Sequence, residues 1–541
     1  MIWKILPKKS EDLTEQLLIN RGIKTQKEKE QFYSPKLSEF EKDLHIPGIE
    51  KANKRILKAI ESGEQMLVFG DYDVDGICGC AILYKGLTSL NAKVLPYIPH
   101  REKEGYGLSK LGLEFARDCG ATLVITVDNG ITAINQAKFA KKLGLDLIIT
   151  DHHLPEKEKP DAHEIVHSTK MCGAAVAWCL IRKLVKQDLK KELLQFVAVA
   201  TVCDLLPLLG LGRAFLVEGL KVLNQTTNIG FLSLTAECGI NLRDIGSYEI
   251  GHIIGPRLNS MGRLEHAIDS LRLLCTKDAI KAKRLAKLLC ETNATRQQMT
   301  TDAMIDARAL VVKENSLRGA SNIHVLYSPK WSSGIIGLIA GKITEEFSTP
   351  VVAISVGEKV SKGSARSING LNIVEIIRRH SDILIDVGGH PGAAGFSILT
   401  QNLEIFKKRL EKEDIILPQS QVLEVDAELQ TKQLTKSLVG ELQRFEPFGF
   451  QNPRPIFATY KIGISDIRTV GQARLPKTGT VGQGKHLKFK AEGLDAIAFG
   501  MGDLESMLQN GQQVDLAYNL ELDTYNGFEK LQLKVKDLKL N

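Results

Sequence analysis

Aspartate and histidine residues cluster at four points in the first 204 residues, at spacings that could support metal chemistry. In the first cluster, Asp71, Asp73 and Asp75 directly follow the apolar run Met66–Phe69. Three carboxylates at alternate positions of an extended chain project to one side. Because like charges at one point repel one another, this arrangement favours a bound cation.

The other three clusters also follow apolar runs. Asp128-Asn129-Gly130 follows Leu123–Val127, Asp151-His152-His153 follows Leu145–Thr150, and Asp204 follows a fourth run that ends at Cys203. Such runs alternate with helix-like segments between residues 65 and 210, which is typical of parallel strands joined by helices. Ligands of such sheets bind at the carboxyl ends of the strands, so we expect the four clusters to meet at one edge.

Carboxylate oxygens with an imidazole suit Mn²⁺ or Mg²⁺ better than zinc. A site this acidic could hold two ions that activate water for attack on phosphorus. The alternative for any single aspartate is a helix N-cap at the strand–helix turn. Four clusters after successive apolar runs are difficult to explain in that way, so the sequence predicts a two-metal phosphodiesterase.

The remaining chain divides by composition. We predict an N-terminal helical extension (1–50), a catalytic α/β domain (51–265), long connector helices (266–319), a second and smaller α/β domain (320–405), and a β-barrel of the OB type (406–541). The predicted fold class is therefore α/β with an added barrel.

Composition excludes several other classes of protein. The chain of 541 residues is 43% hydrophobic and 25% charged, with a net charge of +7, as in globular proteins that tolerate a polyanionic partner. Nine cysteines without a CxxC pair indicate free thiols in a reducing compartment rather than a zinc ribbon. The apolar segment 193–212 carries Asp204 and Pro207, so we predict a buried element and a cytoplasmic protein without a membrane span.

These motifs resemble the DHH phosphoesterase superfamily and, within it, the RecJ single-strand-specific exonucleases. GDYDVDG, VDNGI, TDHH and VCDLLPL are similar to the first four motifs of the superfamily. Similarity continues in GPRLNSMGRL (255–264), GSARSINGLNI (363–373), GGHPGAAGFS (388–397) and EPFGFQNPRPIF (446–457). The resemblance implies a DHH domain, a DHH-associated domain and a RecJ OB domain in that order.

The resemblance also implies roles for individual residues. One ion would be held by Asp73 and Asp128 with support from Asp71, and the other by Asp75, Asp128, His152 and Asp204. His153 would face the scissile phosphate as a hydrogen-bond donor or proton source, and Asp151 would orient the histidines. Asp128, Asp151 and His153 are therefore the predicted catalytic residues.

Three segments are predicted to contact nucleic-acid phosphates. Arg257, Asn259 and Arg263 lie in a segment that begins with Gly-Pro, which we interpret as a loop, although a structural salt-bridge loop would look similar. Ser364 and Arg366 lie in a stretch of small residues whose amides could approach an anion. Gly389 and His390 precede a helix-like start and could form a phosphate nest, or a turn required only by packing. A basic run also extends from residue 472 to 490.

The resemblance implies a 5′-to-3′ exonuclease that releases mononucleotides from single-stranded DNA in repair and recombination. It would use two Mn²⁺ or Mg²⁺ ions, act as a monomer, and meet a helicase and a single-strand-binding protein. Two alternatives remain open: a phosphodiesterase for very short RNA or cyclic dinucleotides, and a non-catalytic protein that only grips single strands. The predicted OB barrel argues against the first, and the complete set of acidic ligands argues against the second.

Overall fold

The computed structural model describes residues 1–318, 322–415, 417, 421–471, 486–523 and 529–540. Its strands are β1 Ile2–Ile5, β2 Gln65–Phe69, β3 Lys93–Tyr97, β4 Ala121–Val127, β5 Asp146–Asp151, β6 Glu164–His167, β7 His324–Ser328, β8 Val351–Ser355, β9 Val360–Arg366, β10 Leu384–His390, β11 Ala393–Leu399, β12 Val422–Val425, β13 Ala427–Glu428, β14 Phe457–Val470, β15 His486–Ala491, β16 Leu494–Ala498, β17 Gln513–Asp523 and β18 Lys530–Leu540.

The α-helices are α1 Leu13–Asn20, α2 Gln26–Tyr33, α3 Glu41–Leu44, α4 Ile49–Glu61, α5 Val74–Ser89, α6 Lys110–Asp118, α7 Ile134–Lys142, α8 Gly173–Ile181, α9 Gln187–Glu192, α10 Leu194–Cys203, α11 Gly210–Leu223, α12 Ile229–Cys238, α13 Ser247–Glu249, α14 Gly255–Leu264, α15 Ile268–Cys275, α16 Ala279–Arg318, α17 Ile336–Phe347, α18 Ile373–Arg378, α19 Leu403–Leu410 and α20 Lys436–Gln443. A π-helical turn, Ile250–Ile254, joins α13 to α14. Among the described helices, none has the length and apolarity required to span a membrane.

The chain forms two compact units. One contains residues 37–206 and 215–418, and the other contains residues 1–36, 207–214 and 419–541. The N-terminal segment therefore lies in the same unit as the C-terminal barrel. Its first residues form a strand, β1, that pairs in parallel with β12, whereas the sequence pattern indicated only helices there.

The parallel sheet predicted for the catalytic domain is present. Its strand order is β3-β2-β4-β5-β6, and all neighbouring strands run in the same direction. The chain passes from β2 to β3 on one side and then returns to β4 on the other, which makes the β2/β4 boundary a topological switch point. Edge strand β6 was not predicted, because its four residues Glu-Ile-Val-His lack an extended apolar run.

The fourth apolar run is a buried helix, which is one of the two alternatives, helix or strand, that its sequence left open. Helix α10 is buried on all sides from Leu194 to Thr201, and Asp204 is its C-cap residue. A fully buried helix and a fully buried strand both present continuous apolar runs, so periodicity does not separate them. Asp204 therefore comes to the sheet edge from a helix terminus rather than from a strand.

Close packing of α5 against α8 and β4 places the chain segments that carry the aspartates. A Cβ atom at Gly79 of α5 would lie 2.3 Å from Cγ1 of Val127 and 3.2 Å from Cα of Ala174. Only a glycine lets the helix lie this close to the end of β4 and to the start of α8. The three elements that meet here carry Asp75, Asp128 and the amides that bind Asp75.

A second, mixed sheet follows in the same unit. Its order is β10-β11-β9-β8-β7, with β7 and β8 parallel and the other neighbours antiparallel. The predicted long connector is present as α15 and the 40-residue helix α16. Trp331 lies in the core beside α17 and is 2% exposed, as expected for a tryptophan in an α/β domain.

The C-terminal unit contains the predicted barrel. Strands β14, β15, β16, β18 and β17 are neighbours in that order, and pairing of β14 with β17 closes the five strands into a ring. A closed five-stranded barrel is the architecture of an OB fold. Most of the predicted basic run, from residue 472 to 485, lies outside the described residues.

The space at Gly79 gives a test of this packing. We expect Gly79→Ala to lower the free energy of unfolding by about 1–3 kcal/mol, because the added methyl group overpacks the junction of α5, β4 and α8. Urea denaturation, followed by the fluorescence of the neighbouring buried Trp178, measures the change.

Gly440→Ala is the matched control, since Gly440 also lies in a helix but has open space around its Cβ position. That substitution should be neutral or stabilising by about 0.5–1 kcal/mol. Equal effects of the two substitutions would show that the junction is not tightly packed.

Candidate metal centre

The turn after β2 and the first turn of α5 carry three aspartates in different settings, so the prediction that all three lie in extended chain is wrong. Asp71 and Asp75 are buried, and Asp73 is the N-cap of α5, where its Oδ1 accepts a hydrogen bond of 3.1 Å from the amide of Gly76. A Cβ atom at Gly76 would lie 2.4 Å from the backbone nitrogen of Asp71, so the turn requires glycine. The alternative that a single aspartate is a helix N-cap is therefore correct for Asp73, but it applies to only one of the four clusters.

Asp128 adopts a left-handed conformation, with φ of 62°, at the end of β4. The next residue, Asn129, is fully buried, and its side-chain amide donates to the carbonyl oxygens of Phe69 (3.3 Å) and Val127 (2.8 Å). These bonds tie the ends of β2 and β4 together at the switch point. The hydroxyl of Tyr106 also donates to the carbonyl oxygen of Asp128 at 3.0 Å.

Asp75 is held by the start of α8. Its two carboxylate oxygens accept hydrogen bonds from the amides of Gly173 (2.6 Å) and Ala174 (2.7 Å). The positive end of a helix dipole stabilises negative charge at this position. A Cβ atom at Gly173 would lie 2.6 Å from Cβ of Asp128, so α8 begins in contact with both aspartates.

His152 lies among three carboxylates. Its Nε2 is 3.0 Å from Oδ1 of Asp128, 3.6 Å from Oδ2 of Asp75 and 3.6 Å from Oδ2 of Asp204. Burial lowers the pKa of His152, so the neutral ring, which can ligate a metal, is favoured.

Three sets of side chains have ligand atoms within 4.8 Å of one another. They are Asp71 with Asp73 and Asp128, Asp75 with His152 and Asp204, and Asp128 with His152 and His153. Asp128 belongs to the first set and also lies next to His152 of the second. All six residues predicted as metal ligands therefore fall into two adjoining groups around Asp128.

The electrostatics of the cluster fit divalent cations. Burial, reinforced by neighbouring carboxylates, raises the pKa of Asp71 and Asp128 well above the usual range and that of Asp204 to about 8. Oδ1 of Asp128 and Nε2 of His152 are buried and lie 3.0 Å apart, but within the described residues neither atom forms a hydrogen bond of acceptable geometry. Unpaired buried polar atoms are costly, and a shared cation would satisfy both lone pairs.

His153 is fixed from several sides beside this cluster. Its Nδ1 is 2.8 Å from Oδ1 of Asp151, which also accepts hydrogen bonds from the amides of His152 and His153. Burial opposes ionisation of both side chains, but their hydrogen bond raises the pKa of His153 and lowers that of Asp151. The carboxylate thus favours a proton on Nδ1.

Two contacts of His153 were not predicted from the sequence. The hydroxyl of Tyr106 lies 3.1 Å from Nε2 of His153, and Nε2 of His167 lies 2.7 Å from its carbonyl oxygen. His167 ends the unpredicted strand β6, and Tyr106 lies in the segment before α6. Because both contacts are made across distant parts of the chain, no local pattern indicated them.

Arg257, Asn259 and Arg263 lie in helix α14, so the prediction of a loop is wrong. Gly255 and Pro256 start the helix, a position where proline's missing N–H costs no hydrogen bond. Oδ1 of Asn259 accepts a hydrogen bond of 3.2 Å from the amide of Val74, which ties α14 to the aspartate turn.

Several guanidinium groups gather near Arg263. Burial lowers the pKa of Arg263 to about 10, and repulsion from other arginines adds to the effect. Those arginines are Arg101, Arg296 and Arg366, of which only Arg366 is among the phosphate ligands predicted from the sequence. Within the described residues, no carboxylate forms a salt bridge with any of these four side chains. Clustered guanidinium groups without acidic partners are typical of phosphate sites.

The phosphate ligands predicted between residues 364 and 390 lie in strands of the second sheet, and two details of that prediction are wrong. Ser364 belongs to β9, whose backbone pairs with strands on both sides, so its amides are not available for an anion. His390 ends β10 and enters a tight hairpin rather than a helix. Gly389 has φ of 143° and lies so close to Ala393 that a Cβ atom could not be accommodated.

The register nevertheless aligns two predicted phosphate ligands. Ala393 pairs with His390 on one side and with Arg366 on the other. Residues directly opposite one another in antiparallel strands project from the same face, so His390 and Arg366 share a face, about 10 Å apart. The hydroxyl of Ser364 accepts a hydrogen bond of 3.0 Å from Nη1 of Arg366 and steadies that side chain.

Comparisons with known proteins agree with this architecture. The DHH family, N-terminal domain, matches residues 65–201, the DHHA1 domain matches residues 320–413, and the RecJ OB domain matches residues 425–537. The parallel sheet with its acidic edge and the DHHA1 domain that follows define a protein of the DHH class.

Individual relatives narrow the class further. The single-stranded-DNA-specific exonuclease RecJ of Escherichia coli is 30% identical over 98% of this chain and 96% of its own length. The RecJ of Bacillus subtilis is 32% identical over 97% of this chain and 67% of its own length. The crystal structure of RecJ from Thermus thermophilus in complex with Mn²⁺ superposes with a TM-score of 0.84, at 28% identity, over 100% of this chain and 80% of that chain. The chain belongs to the RecJ family, as its motifs predicted.

The raised carboxyl pKa values predict how metal binding depends on pH. Asp204, with a pKa near 8, is mostly protonated at pH 7, and a metal ion must displace that proton. We therefore expect the apparent affinity for Mn²⁺ to rise by up to about tenfold per pH unit from pH 6 to pH 8 and to level off above it.

Isothermal titration calorimetry in buffers of different ionisation enthalpy measures both the affinity and the protons released. Asp204→Asn provides the control, because it removes the titrating carboxyl group and should flatten this part of the profile. An affinity that is independent of pH between 6 and 8 would contradict the assignment.

Proposed function

We propose that this chain is a metal-dependent exonuclease that hydrolyses single-stranded DNA from the 5′ end and releases mononucleotides. The observation that carries the proposal is a buried pair of atoms at the junction of two groups of carboxylates. Oδ1 of Asp128 and Nε2 of His152 lie 3.0 Å apart, and neither makes a hydrogen bond within the described part of the chain. Membership in the RecJ family supplies the substrate class, since the relatives are named as single-stranded-DNA-specific exonucleases.

The ions that fit this cluster are two Mn²⁺ or Mg²⁺. Asp71, Asp73 and Asp128 would hold one ion, and Asp75, Asp128, His152 and Asp204 would hold the other. Hard oxygen ligands in this number suit both metals. Structures of the Thermus thermophilus RecJ with Mn²⁺ and with Mg²⁺ support the same choice.

The bound ions would supply an activated water molecule and neutralise charge on the phosphate. Around the ions, side chains of the protein would orient the scissile phosphate and donate a proton to it or to the leaving oxygen. Asp151 holds the ring of His153 so that Nε2 is available to the scissile phosphate or the leaving oxygen. Tyr106 and His167 restrict the position of His153 through its ring and its carbonyl oxygen.

The arginine group around Arg263 would bind the phosphates of the strand beside the metal centre. Arg257 and Arg366 extend this group, with Asn259 positioning α14 and Ser364 positioning Arg366. Gly389 would let the β10–β11 hairpin bring His390 to a phosphate. Guanidinium forks bind phosphate oxygens in pairs, which orients a strand as well as attracting it.

The proposed division of labour follows the domain boundaries expected from the sequence. After an extension of residues 1–50, residues 51–265 would carry catalysis. The helices of residues 266–319 would connect this domain to residues 320–405, which would bind phosphate. Residues 406–541 would bind the strand through the OB barrel. An OB barrel favours a polymeric substrate over a dinucleotide. We also propose that the protein acts in the cytoplasm as a monomer in DNA repair and recombination, supplied with single strands by a helicase and a single-strand-binding protein.

Replacing Asp128 tests the two-metal assignment. Because Asp128 adjoins both ligand groups, Asp128→Ala should reduce turnover by more than about 100-fold. Replacing a residue that only positions a metal ligand typically reduces activity by roughly 10–100-fold. The measurement is release of labelled mononucleotide from a single-stranded oligonucleotide with Mn²⁺, with Mg²⁺ and with chelator.

Asp118→Ala is the control, since Asp118 is an exposed aspartate that pairs with Arg117 on the surface. It should retain the wild-type rate. An Asp128→Ala protein that retained a tenth of the wild-type rate would refute the assignment, and cleavage of dinucleotides alone would favour a different phosphodiesterase.

End preference tests the role of Arg366 and His390. If these side chains anchor the terminal phosphate, the double substitution to alanine should bring the ratio of 5′ to 3′ label release from a single strand close to one. Arg409→Ala, which changes an exposed arginine paired with Asp382, should leave the ratio unchanged. An undiminished 5′ preference in the double variant would place the anchor elsewhere.

A further inference from the structure

Two cysteines outside the metal centre face each other between helices. Cys238 is the last residue of α12 and Cys290 lies within α16, and their Sγ atoms are 4.0 Å apart. Both residues are partly exposed, unlike Cys78, Cys80 and Cys172, which lie in the core. A change of side-chain rotamer could bring the two sulfur atoms to the 2.0 Å of a disulfide.

Arg257, one of the proposed phosphate ligands, adjoins this pair. Its Nη1 donates to the carbonyl oxygen of Ile253 at 2.8 Å, while its buried Nε has no partner within the described residues. The hydrogen bond from Cys238 lowers the pKa of Cys290 to about 6, and the guanidinium of Arg257 contributes to the effect. This lowered pKa favours the thiolate of Cys290, which is the form that reacts with oxidants.

We propose that Cys238 and Cys290 form a reversible oxidation site, at which a hydroperoxide joins the two thiols in a disulfide and changes the charge beside Arg257. In the first step, the sulfur of Cys290 attacks a peroxide oxygen, the O–O bond breaks, and a sulfenic acid and water form. In the second step, Cys238 attacks that sulfur, which releases a second water. The thiolate of Cys290 and the thiol of Cys238 together lose two electrons to hydrogen peroxide. With the proton of Cys238 and one proton from solvent, the peroxide becomes two water molecules, and the negative charge of the thiolate is lost.

The consequence for nucleic-acid binding follows from charge. In the reduced protein the thiolate of Cys290 partly neutralises Arg257, which also influences the neighbouring Arg296. A disulfide carries no charge, so oxidation leaves the arginine group more positive. If the proposed function holds, oxidation should strengthen the binding of a nucleic-acid strand by about two- to fivefold. That is the effect expected from one partly screened charge.

The first experiment asks whether the site exists. The full-length protein is treated with one equivalent of hydrogen peroxide, its free thiols are counted, and its peptides are analysed by mass spectrometry. We expect a loss of two of the nine thiols, a Cys238–Cys290 cross-link, and full recovery with dithiothreitol. Cross-links between other cysteines, or no cross-link, would overturn the proposal.

The second experiment measures the consequence. Fluorescence anisotropy gives the Kd for a 5′-phosphorylated single-stranded oligonucleotide in chelator, before and after oxidation. Cys290→Ser lacks the thiolate, so without oxidant it should bind as tightly as oxidised wild type and should not respond further. Cys119→Ser, which removes a partly exposed cysteine elsewhere, should respond as wild type does.

The outcomes separate this inference from the proposed function. A cross-link that leaves the Kd unchanged, or weakens binding, would overturn the link to Arg257. Failure of the reduced protein to bind the oligonucleotide would instead refute the proposed function, while the thiol count would still decide whether the oxidation site exists.

Discussion

The structure depends on the mutual repulsion of aspartates that are gathered at one edge of a buried sheet. Asp71, Asp75 and Asp128 are nearly inaccessible to water. Burial is the main cause that raises their pKa values, and neighbouring carboxylates, Asp73 among them, raise those pKa values further. His152 lies within 3.6 Å of Asp75, Asp128 and Asp204, but burial lowers its pKa and favours the neutral ring. The cluster is therefore poised for protons or metal ions, and its charge state is set by whichever is bound.

The surrounding fold holds these groups together against that repulsion. Asn129 joins the ends of β2 and β4, the amides at the start of α8 bind Asp75, and Asn259 ties α14 to the aspartate turn. Glycines at positions 79 and 173 allow helices α5 and α8 to approach the strand ends closely. Rigid support of this kind keeps ligands in place before the ions bind, as metal sites require.

Much of this arrangement could be predicted because it follows from local patterns. Buried parallel strands are continuous apolar runs, so an aspartate after each run marks the functional edge of the sheet. The pattern could not show that Asp204 follows a helix, because burial on all sides makes a helix and a strand equally apolar. It also misassigned α14 as a loop and the segment after His390 as a helix, since Gly and Pro occur in starts and turns alike.

What the sequence did not indicate depends on contacts between distant residues. Tyr106 and His167 contact His153 from separate segments, and Cys238 and Cys290 meet only because α12 packs on α16. The alignment of Arg366 with His390 depends on strand register, which a single apolar pattern does not fix.

We propose that two metal ions lie on either side of Asp128. Crystals grown with Mn²⁺ and measured near the manganese absorption edge would give an anomalous difference map that tests this claim directly. We predict two peaks about 3.5–4 Å apart, with the carboxylate of Asp128 between them. A single peak, or peaks away from Asp128, would refute the two-metal assignment.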